Sequence, residues 1–125
     1  MSVIMPAYNS EAYIADAIRS VISQTYHNWE LLIVNDASND YTAQILQKFN
    51  SEENRIRVFN NSANKGTAYS RNKAIEAAEG QFIAFLDADD LWKENKLKRQ
   101  LEVLSKSNLA ACFSSYQLMH ETGKK

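Results

Sequence analysis

The chain has 125 residues, of which 45% are hydrophobic and 23% charged, and its formal net charge is −1 at pH 7. This length predicts one domain with a core of its own, and the lack of a basic excess argues against a nucleic-acid partner. A single cysteine excludes an internal disulfide, and no apolar run approaches the ~20 residues that span a bilayer, so we expect a reducing, cytoplasmic location.

Apolar runs alternate with segments of helical spacing along the whole chain. In chain order the sequence predicts strand 2–6, helix 11–23, strand 30–34, helix 42–49, strand 56–59, helix 66–79, strand 81–86, helix 93–107 and strand 110–119. Gly80 stands where a left-handed cap would end the third helix. Strands that are apolar almost throughout and that alternate with helices predict a parallel α/β sheet covered on both faces.

Polar residues follow three of the predicted strands, at the points where those strands end. The run from Pro6 to Asn9 follows the first strand, Asp36 follows the second, and the run from Asp87 to Asp90 follows the fourth. Right-handed crossovers and the common strand order 3-2-1-4 would make these three strands neighbours. We therefore expect the three clusters to meet in one crevice at the carboxyl ends of the strands, where open α/β sheets bind ligands.

Asp87, Asp89 and Asp90 place three carboxylates within four residues. Like charges this close favour a cation, and carboxylates that face solvent suit Mg²⁺ or Mn²⁺ shared with a phosphorylated substrate. The three glycines are far apart in the sequence, so a glycine-rich phosphate loop is absent and a cation would have to take over its role. The alternative is that Asp89 or Asp90 only caps the following helix.

Three further residues have both a functional and a structural interpretation. Asp36 could accept the N3–H of uracil in a charge-assisted hydrogen bond, or it could begin an Asx turn. Tyr8 could stack on a base, or it could pack as a half-buried side chain. Arg71 lies on the same helical line as Ile75 and therefore points inward, where a carboxylate or phosphate must accompany it. An internal pair with Asp36 or Asp87 is the structural alternative.

Four segments, in this order and spacing, resemble the N-terminal half of family 2 glycosyltransferases with the GT-A fold. They are VIMPAYN at 3–9, LLIVNDASND at 31–40, NKGTAYSRN at 64–72 and FLDADDLW at 85–92. Ser70 replaces the alanine that is usual in the third segment. The resemblance implies a Rossmann-like three-layer sandwich with a mostly parallel sheet, truncated relative to the whole GT-A type. Residues 1–125 would form the nucleotide-sugar-binding N-terminal part of a glycosyltransferase domain.

The same resemblance implies inverting transfer of a sugar from a nucleotide-diphosphate donor, for which we expect a UDP-sugar, in polysaccharide biosynthesis. The residues that it assigns to the nucleotide are Pro6, Ala7, Tyr8, Asp36, Arg71, Asp87 and Ala88. Asp87 would contact the ribose side, and Asp89 would bind Mn²⁺ or Mg²⁺. The acceptor would be a saccharide or a lipid-linked saccharide, and a longer parent protein could lie at the inner face of the membrane.

Two expected parts of such an enzyme have no counterpart in the sequence. Neither an acidic general base for the acceptor nor a Q-x-x-R-W element can be placed, so the base is expected beyond Lys125. Residues 121–125 have the composition of a hairpin turn, which fits a chain cut from a longer one, although a frayed tail is the alternative. We therefore expect this chain alone to be inactive in sugar transfer.

Other classes of protein also combine an α/β sheet with aspartates. A sugar nucleotidyltransferase should carry a glycine- and arginine-rich loop where PAYN stands, and a receiver domain needs an aspartate after the third strand, where Asn60 stands. A non-catalytic nucleotide-binding module remains an alternative. His27 and His120 have no metal-ligand spacing and are predicted to lie on the surface, and Cys112 is predicted to be a buried packing residue.

Overall fold

The computed structural model describes residues 1–119 of the chain. Its elements are β1 Ser2–Ala7, α1 Ile14–Ile22, β2 Glu30–Asn35, α2 Thr42–Glu52, β3 Ile56–Asn60, α3 Thr67–Glu76, β4 Ile83–Phe85 and α4 Lys96–Lys106. The first helix begins later than predicted because Ser10 to Tyr13 form a turn that the Tyr13 N–H closes on the Ser10 carbonyl at 3.0 Å. None of the helices in the described part of the chain is long and apolar enough to cross a membrane.

The four strands form one parallel sheet in the order β3-β2-β1-β4, as the sequence predicts. Val3 in β1 pairs with Leu31 on one side and with Ala84 on the other. Because all strands run in the same direction, the loops that follow β2, β1 and β4 leave the sheet side by side at one edge. This order is what brings the three polar clusters together.

Helices cover both faces of the sheet and make three layers. Successive residues of a strand point to opposite faces, so Val3 and Met5 join the larger core while Ile4 joins the smaller one. In the larger core, α1, α2 and α4 contribute buried residues that include Ile18, Leu46 and Leu97. On the opposite face α3 packs alone, and the smaller core consists of Ile4, Leu32, Val34 and Ala74. The predicted doubly covered α/β sheet is therefore confirmed.

The fifth predicted strand, 110–119, is not formed within the described residues. Its apolar side chains are exposed, Phe113 at 99% and Tyr116 at 87%. A strand gains its hydrogen bonds and its burial from a neighbouring strand, and this segment has none among residues 1–119, so an apolar pattern alone does not make it a strand. Cys112 is only partly buried, and its Sγ lies 3.8 Å from the Gln100 carbonyl oxygen.

Gly80 does not cap α3 in a left-handed conformation. The helix ends at Glu76, with Ala77 as its C-cap at a φ of −91°. Gly80 stands instead where the chain passes the start of β1, and a Cβ there would lie 2.6 Å from Ser2 Oγ and 2.7 Å from the Ser2 backbone nitrogen. The glycine is needed for this close approach, which sequence spacing does not reveal.

Candidate functional site

A cavity of about 350 Å³ opens at the carboxyl end of the sheet, between the loops that follow β1, β2 and β4 and the start of α3. Its lining residues are Pro6, Ala7, Tyr8, Asn9, Ser10, Tyr13, Asp36, Thr67, Ser70, Arg71, Asp87, Ala88 and Asp89. Every residue that the sequence analysis assigned to a nucleotide or a metal lies on this wall. Tyr13 and Thr67 also line the cavity, although neither stands in a polar cluster that would have marked it.

Asp36 lies at the end of β2 and is only 4% exposed. Its Oδ1 accepts hydrogen bonds from Asn61 Nδ2 and from the Lys65 N–H, both at 2.8 Å, and its Oδ2 accepts one from the Gly66 N–H at 2.8 Å. Burial raises the pKa of Asp36, but the hydrogen bonds from Asn61, Lys65 and Gly66 outweigh burial and hold it below its usual value. The carboxylate is therefore ionised at neutral pH, and Oδ2 keeps a lone pair for a further donor.

Asn61 links Asp36 to α3, a role that the sequence analysis missed. Its Nδ2 also lies 3.1 Å from Ser70 Oγ, and its Oδ1 accepts a hydrogen bond from Lys73 Nζ at 2.9 Å. The available signal was the asparagine pair at the end of β3, which stands at the same edge of the sheet as the other polar clusters. This network fixes the orientation of the Asp36 carboxylate.

The loops after β1 and β2 are tied to each other. The Asn9 N–H donates to Ser38 Oγ at 3.0 Å, and Asn9 Oδ1 accepts a hydrogen bond from the Asn39 N–H at 2.9 Å. Asn9 and Ala37 both have positive φ angles, 45° and 58°. Asparagine tolerates this conformation, whereas for alanine it is strained. Tyr8, the first residue of the loop after β1, is 48% exposed and leaves its ring available at the cavity.

Arg71 of α3 reaches across the cavity to the end of β4. Its Nη2 lies 2.7 Å from Asp87 Oδ1, and the two side chains are 37% and 50% exposed. The internal ion pair, which was the structural alternative for Arg71, is therefore present with Asp87. Nε of the same guanidinium is buried and has no hydrogen-bond partner among the described residues. The pair thus accounts for only part of the donors of Arg71.

The acidic run after β4 is exposed, and its Asp90 N–H closes a turn on the Asp87 carbonyl at 3.1 Å. Although the Asp90 side chain is largely exposed, partial desolvation of its carboxyl group, together with repulsion by the charges of Asp89 and Asp87, raises the pKa of Asp90. The capping interpretation of Asp89 and Asp90 is wrong, because α4 begins only at Lys96 with Asn95 as its N-cap.

Within residues 1–119, no three acidic, histidine or cysteine side chains are arranged to hold a metal ion by themselves. The Asp36 carboxylate already accepts three hydrogen bonds, so the cavity carboxylates left for a cation are those of Asp87 and Asp89. One or two exposed carboxylates fit the way Mg²⁺ and Mn²⁺ are commonly held, with water and substrate phosphates completing the coordination. The residues present therefore suit a cation that arrives with a phosphorylated ligand, and they do not form a closed protein cage.

Neither His27 nor Trp29 lines the cavity. His27 is exposed, as predicted, and its backbone carbonyl accepts a hydrogen bond from Arg55 at 3.0 Å. His120 and the predicted hairpin turn at 121–125 lie outside the described residues. Trp29 is buried, and the Arg55 guanidinium lies 3.8 Å from the centre of its ring.

Comparison with known proteins gives a consistent result over almost the whole chain. The family model described as "Glycosyl transferase family 2" matches residues 2–124. TuaG of Bacillus subtilis (strain 168), which is named for glycosyl transfer in teichuronic acid biosynthesis, is 45% identical over 123 residues, covering 98% of this chain and 49% of TuaG. WfgD of Escherichia coli, named as a UDP-Glc:α-D-GlcNAc-diphosphoundecaprenol β-1,3-glucosyltransferase, is 42% identical over 120 residues, covering 96% of this chain and 47% of WfgD.

Solved structures give the same picture for the fold. Crystal structures of S. aureus TarS 1–349 in complex with UDP and with UDP-GlcNAc superpose with a TM-score of 0.78 at 34% identity. The superposition covers 84% of this chain and 32% of the TarS chain with UDP. The chain spans about half the length of the curated relatives that it matches.

Proposed function

Because the chain belongs to glycosyl transferase family 2, we propose that its cavity binds a nucleotide-sugar donor, a UDP-sugar, together with a divalent cation. The observation that carries this proposal is the convergence of Asp36, Arg71 and the Asp87–Asp89 pair on one cavity at the end of a parallel sheet. The UDP and UDP-GlcNAc complexes of TarS support the choice of nucleotide.

Each part of the cavity matches one part of such a donor. Oδ2 of Asp36 accepts the N3–H of uracil, and the exposed ring of Tyr8 stacks on the base. Arg71 and Asp87 lie toward the ribose and the diphosphate. Asp89 holds Mn²⁺ or Mg²⁺, and a cation bound there stabilises the negative charge of the departing diphosphate. Uracil fits an acceptor at this position best, guanine also offers an N–H at its edge, and adenine and cytosine fit poorly.

The reaction that we propose for the protein is inverting transfer of the sugar to a saccharide or a lipid-linked saccharide. WfgD is named for transfer to a diphosphoundecaprenol-linked sugar, which supports an acceptor of this class. For the protein's location we propose the cytoplasm, at the inner face of a membrane. Transfer also needs a base within hydrogen-bond reach of the acceptor hydroxyl. Asp36, Asp87 and Asp89 already have donor or metal roles, so we expect acceptor-dependent UDP release by this chain alone to stay at the water background.

Nucleotide titration with and without Mn²⁺ tests the donor and metal parts together. We expect UDP to raise the melting temperature most, GDP less, and ADP and CDP hardly at all at matched concentration. Asp89→Ala should abolish the Mn²⁺ dependence of UDP binding, at a cost of tenfold or more, or about 1.5–3 kcal/mol, in affinity. Asp90→Ala is the matched control, because Asp90 stands in the same loop but does not line the cavity. Equal stabilisation by all four nucleotides would contradict the proposal.

A further inference from the structure

Gln24 lies outside the cavity, just after α1, and is fully buried. Its Nε2 donates to the Lys93 carbonyl at 2.8 Å and to the Ser20 carbonyl at 3.0 Å, and its Oε1 accepts a hydrogen bond from the Leu97 N–H at 3.1 Å. One side chain thus binds the backbone at both ends of the segment from Lys93 to Leu97. Only Leu91 and Trp92 separate that segment from the acidic run that ends at Asp90.

Two neighbours of Gln24 strengthen the same connection. Ser20 Oγ accepts a hydrogen bond from the Trp92 N–H at 3.2 Å, and the Thr25 N–H donates to the Glu94 carbonyl at 2.8 Å. The end of α1 therefore holds residues 92–97 through their backbone, on the far side of the loop from β4. The acidic run is fixed at one end by β4 and at the other by this attachment.

The amide is suited to this position because it supplies donors and an acceptor on one short side chain. Both of its Nε2 hydrogens and one Oε1 lone pair are used, so the group is satisfied in a buried place where an unpaired polar atom would be costly. Methionine has nearly the same size but forms none of these bonds.

We infer that Gln24 is a positioning residue for Asp89: by holding the Lys93–Leu97 backbone, it fixes the loop that carries Asp89 and so keeps the Asp89 carboxylate at the proposed cation site. This inference rests on the proposed function, since it assumes that Asp89 holds the cation. Gln24 itself does not line the cavity and would not contact the nucleotide or the metal.

The test compares UDP affinity in Mn²⁺ with UDP affinity in EDTA, measured by calorimetry on the whole chain. For Gln24→Met we expect the gain in affinity from Mn²⁺ to fall about tenfold, as is usual when the support of a metal ligand is lost, while affinity in EDTA changes less than about twofold. Amide hydrogen exchange of residues 91–97 should become faster in the same variant, with or without ligand.

The matched control is Ser2→Ala. Ser2 is also fully buried, and its Oγ bonds to Glu30 at 2.6 Å and to the Gly80 N–H at 2.8 Å, but it lies at the opposite end of the sheet. We expect this variant to have a lower melting temperature and to keep the full gain in UDP affinity from Mn²⁺. Should Gln24→Met not fold, Gln24→Asn decides by the same two measurements, because it keeps a neutral amide but is one methylene shorter and cannot make all three bonds.

The outcomes separate the two proposals. A folded Gln24→Met or Gln24→Asn variant that keeps the wild-type gain in UDP affinity from Mn²⁺ overturns the positioning role alone. The positioning role is also overturned if Ser2→Ala loses as much of the gain in UDP affinity from Mn²⁺ as its lower melting temperature would predict. The loss would then follow overall stability and not the attachment of the loop. A wild-type chain that binds UDP equally with Mn²⁺ and with EDTA overturns the proposed metal site and the inference that rests on it.

Discussion

Arg71 on α3 and Asp87 at the end of β4 form an ion pair of 2.7 Å across the mouth of the cavity. Both side chains are more than a third exposed, so solvent screens the pair and its contribution to stability is at most about 1 kcal/mol. A pair of this kind does little for the fold. Its effect is to hold a guanidinium at the place where the diphosphate of a donor is proposed to lie.

We predict that Arg71→Ala lowers UDP affinity at least tenfold, or about 1.4 kcal/mol, and shifts the melting temperature only slightly. Arg71→Lys should not restore affinity, because an ammonium cannot reproduce the planar fork of donors. Calorimetry and thermal melting measure the two effects. Arg19→Ala is the control, since Arg19 forms a similar exposed pair with Asp16 at 2.9 Å, away from the cavity. Loss of stability without loss of affinity would show that the pair is structural.

The second prediction concerns acid stability and Asp36. The folded-state pKa of Asp36 lies below its ordinary value of 3.8, so its hydrogen bonds stabilise the fold fully above that pH. The stabilisation should fade as pH falls below 3.8 and through the folded-state pKa. At pH 7 we expect Asp36→Asn to cost about 1–3 kcal/mol, because the Gly66 N–H loses its acceptor, and the difference from wild type should shrink in acid.

Urea unfolding at pH 7, 5, 4 and 3 measures this dependence. Asp16→Asn serves as the control, because Asp16 is 68% exposed and bonds only to Arg19 among the described residues. A difference between Asp36→Asn and wild type that stays constant down to pH 3 would contradict the assignment.

Ala37 gives a prediction of increased stability. Its φ of 58° costs an L-residue about 1–2 kcal/mol, whereas glycine adopts it freely. Glycine also gains freedom in the unfolded chain, which removes about 0.4–1 kcal/mol of that benefit. We therefore expect Ala37→Gly to raise the free energy of unfolding by about 0.5–1 kcal/mol. Ala43→Gly is the control and should lower the free energy of unfolding, because Ala43 lies in α2, where φ is helical. If both variants lose stability, Ala37 is not strained.

Gly80 gives a prediction that separates two explanations for one glycine. A Cβ at this position would lie 2.7 Å from the Ser2 backbone nitrogen and 2.8 Å from the Met1 carbonyl carbon, and backbone atoms yield little. We expect Gly80→Ala and Gly80→Asn each to cost about 1–3 kcal/mol in unfolding experiments. Asparagine would be clearly the better tolerated of the two if Gly80 were a left-handed helix cap. Removing Ser2 Oγ by Ser2→Ala should not rescue Gly80→Ala.

The architecture was predictable because it depends on patterns that the sequence displays directly. Apolar strands, their alternation with helices and the right-handed crossover rule give the strand order. That order places the loops that carry Asp36 and Asp89 at one edge of the sheet, on either side of the loop that follows β1. Contacts made by single atoms were not predictable in this way. Neither the hydrogen bonds of Asn61 nor the approach of Gly80 to Ser2 leaves a mark on periodicity or composition.

For the segment 110–119, the sequence pattern predicted a structure that does not form in the described residues. Its apolar pattern is that of a strand, yet a strand is defined by its neighbour, and the described residues offer it none. The environment of Arg71 was only partly predictable from the sequence. Its helical line indicated that it would meet a negative charge, but only the structure shows that this charge is Asp87.

The pairing of Val3 with Ala84 joins residues that are far apart in the sequence, and β4 is three residues long. Contacts between β1, α1 and β2 are local and form early in folding, whereas β4 must close the longest loop for the fewest hydrogen bonds. We therefore expect the half of the cavity that carries Asp87 and Asp89 to assemble last and to open first, which faster amide hydrogen exchange in β4 than in β1 and β2 would reveal. A donor that contacts both halves of the cavity requires the conformation in which β4 is paired with β1. Donor binding should therefore increase the fraction of molecules in that conformation.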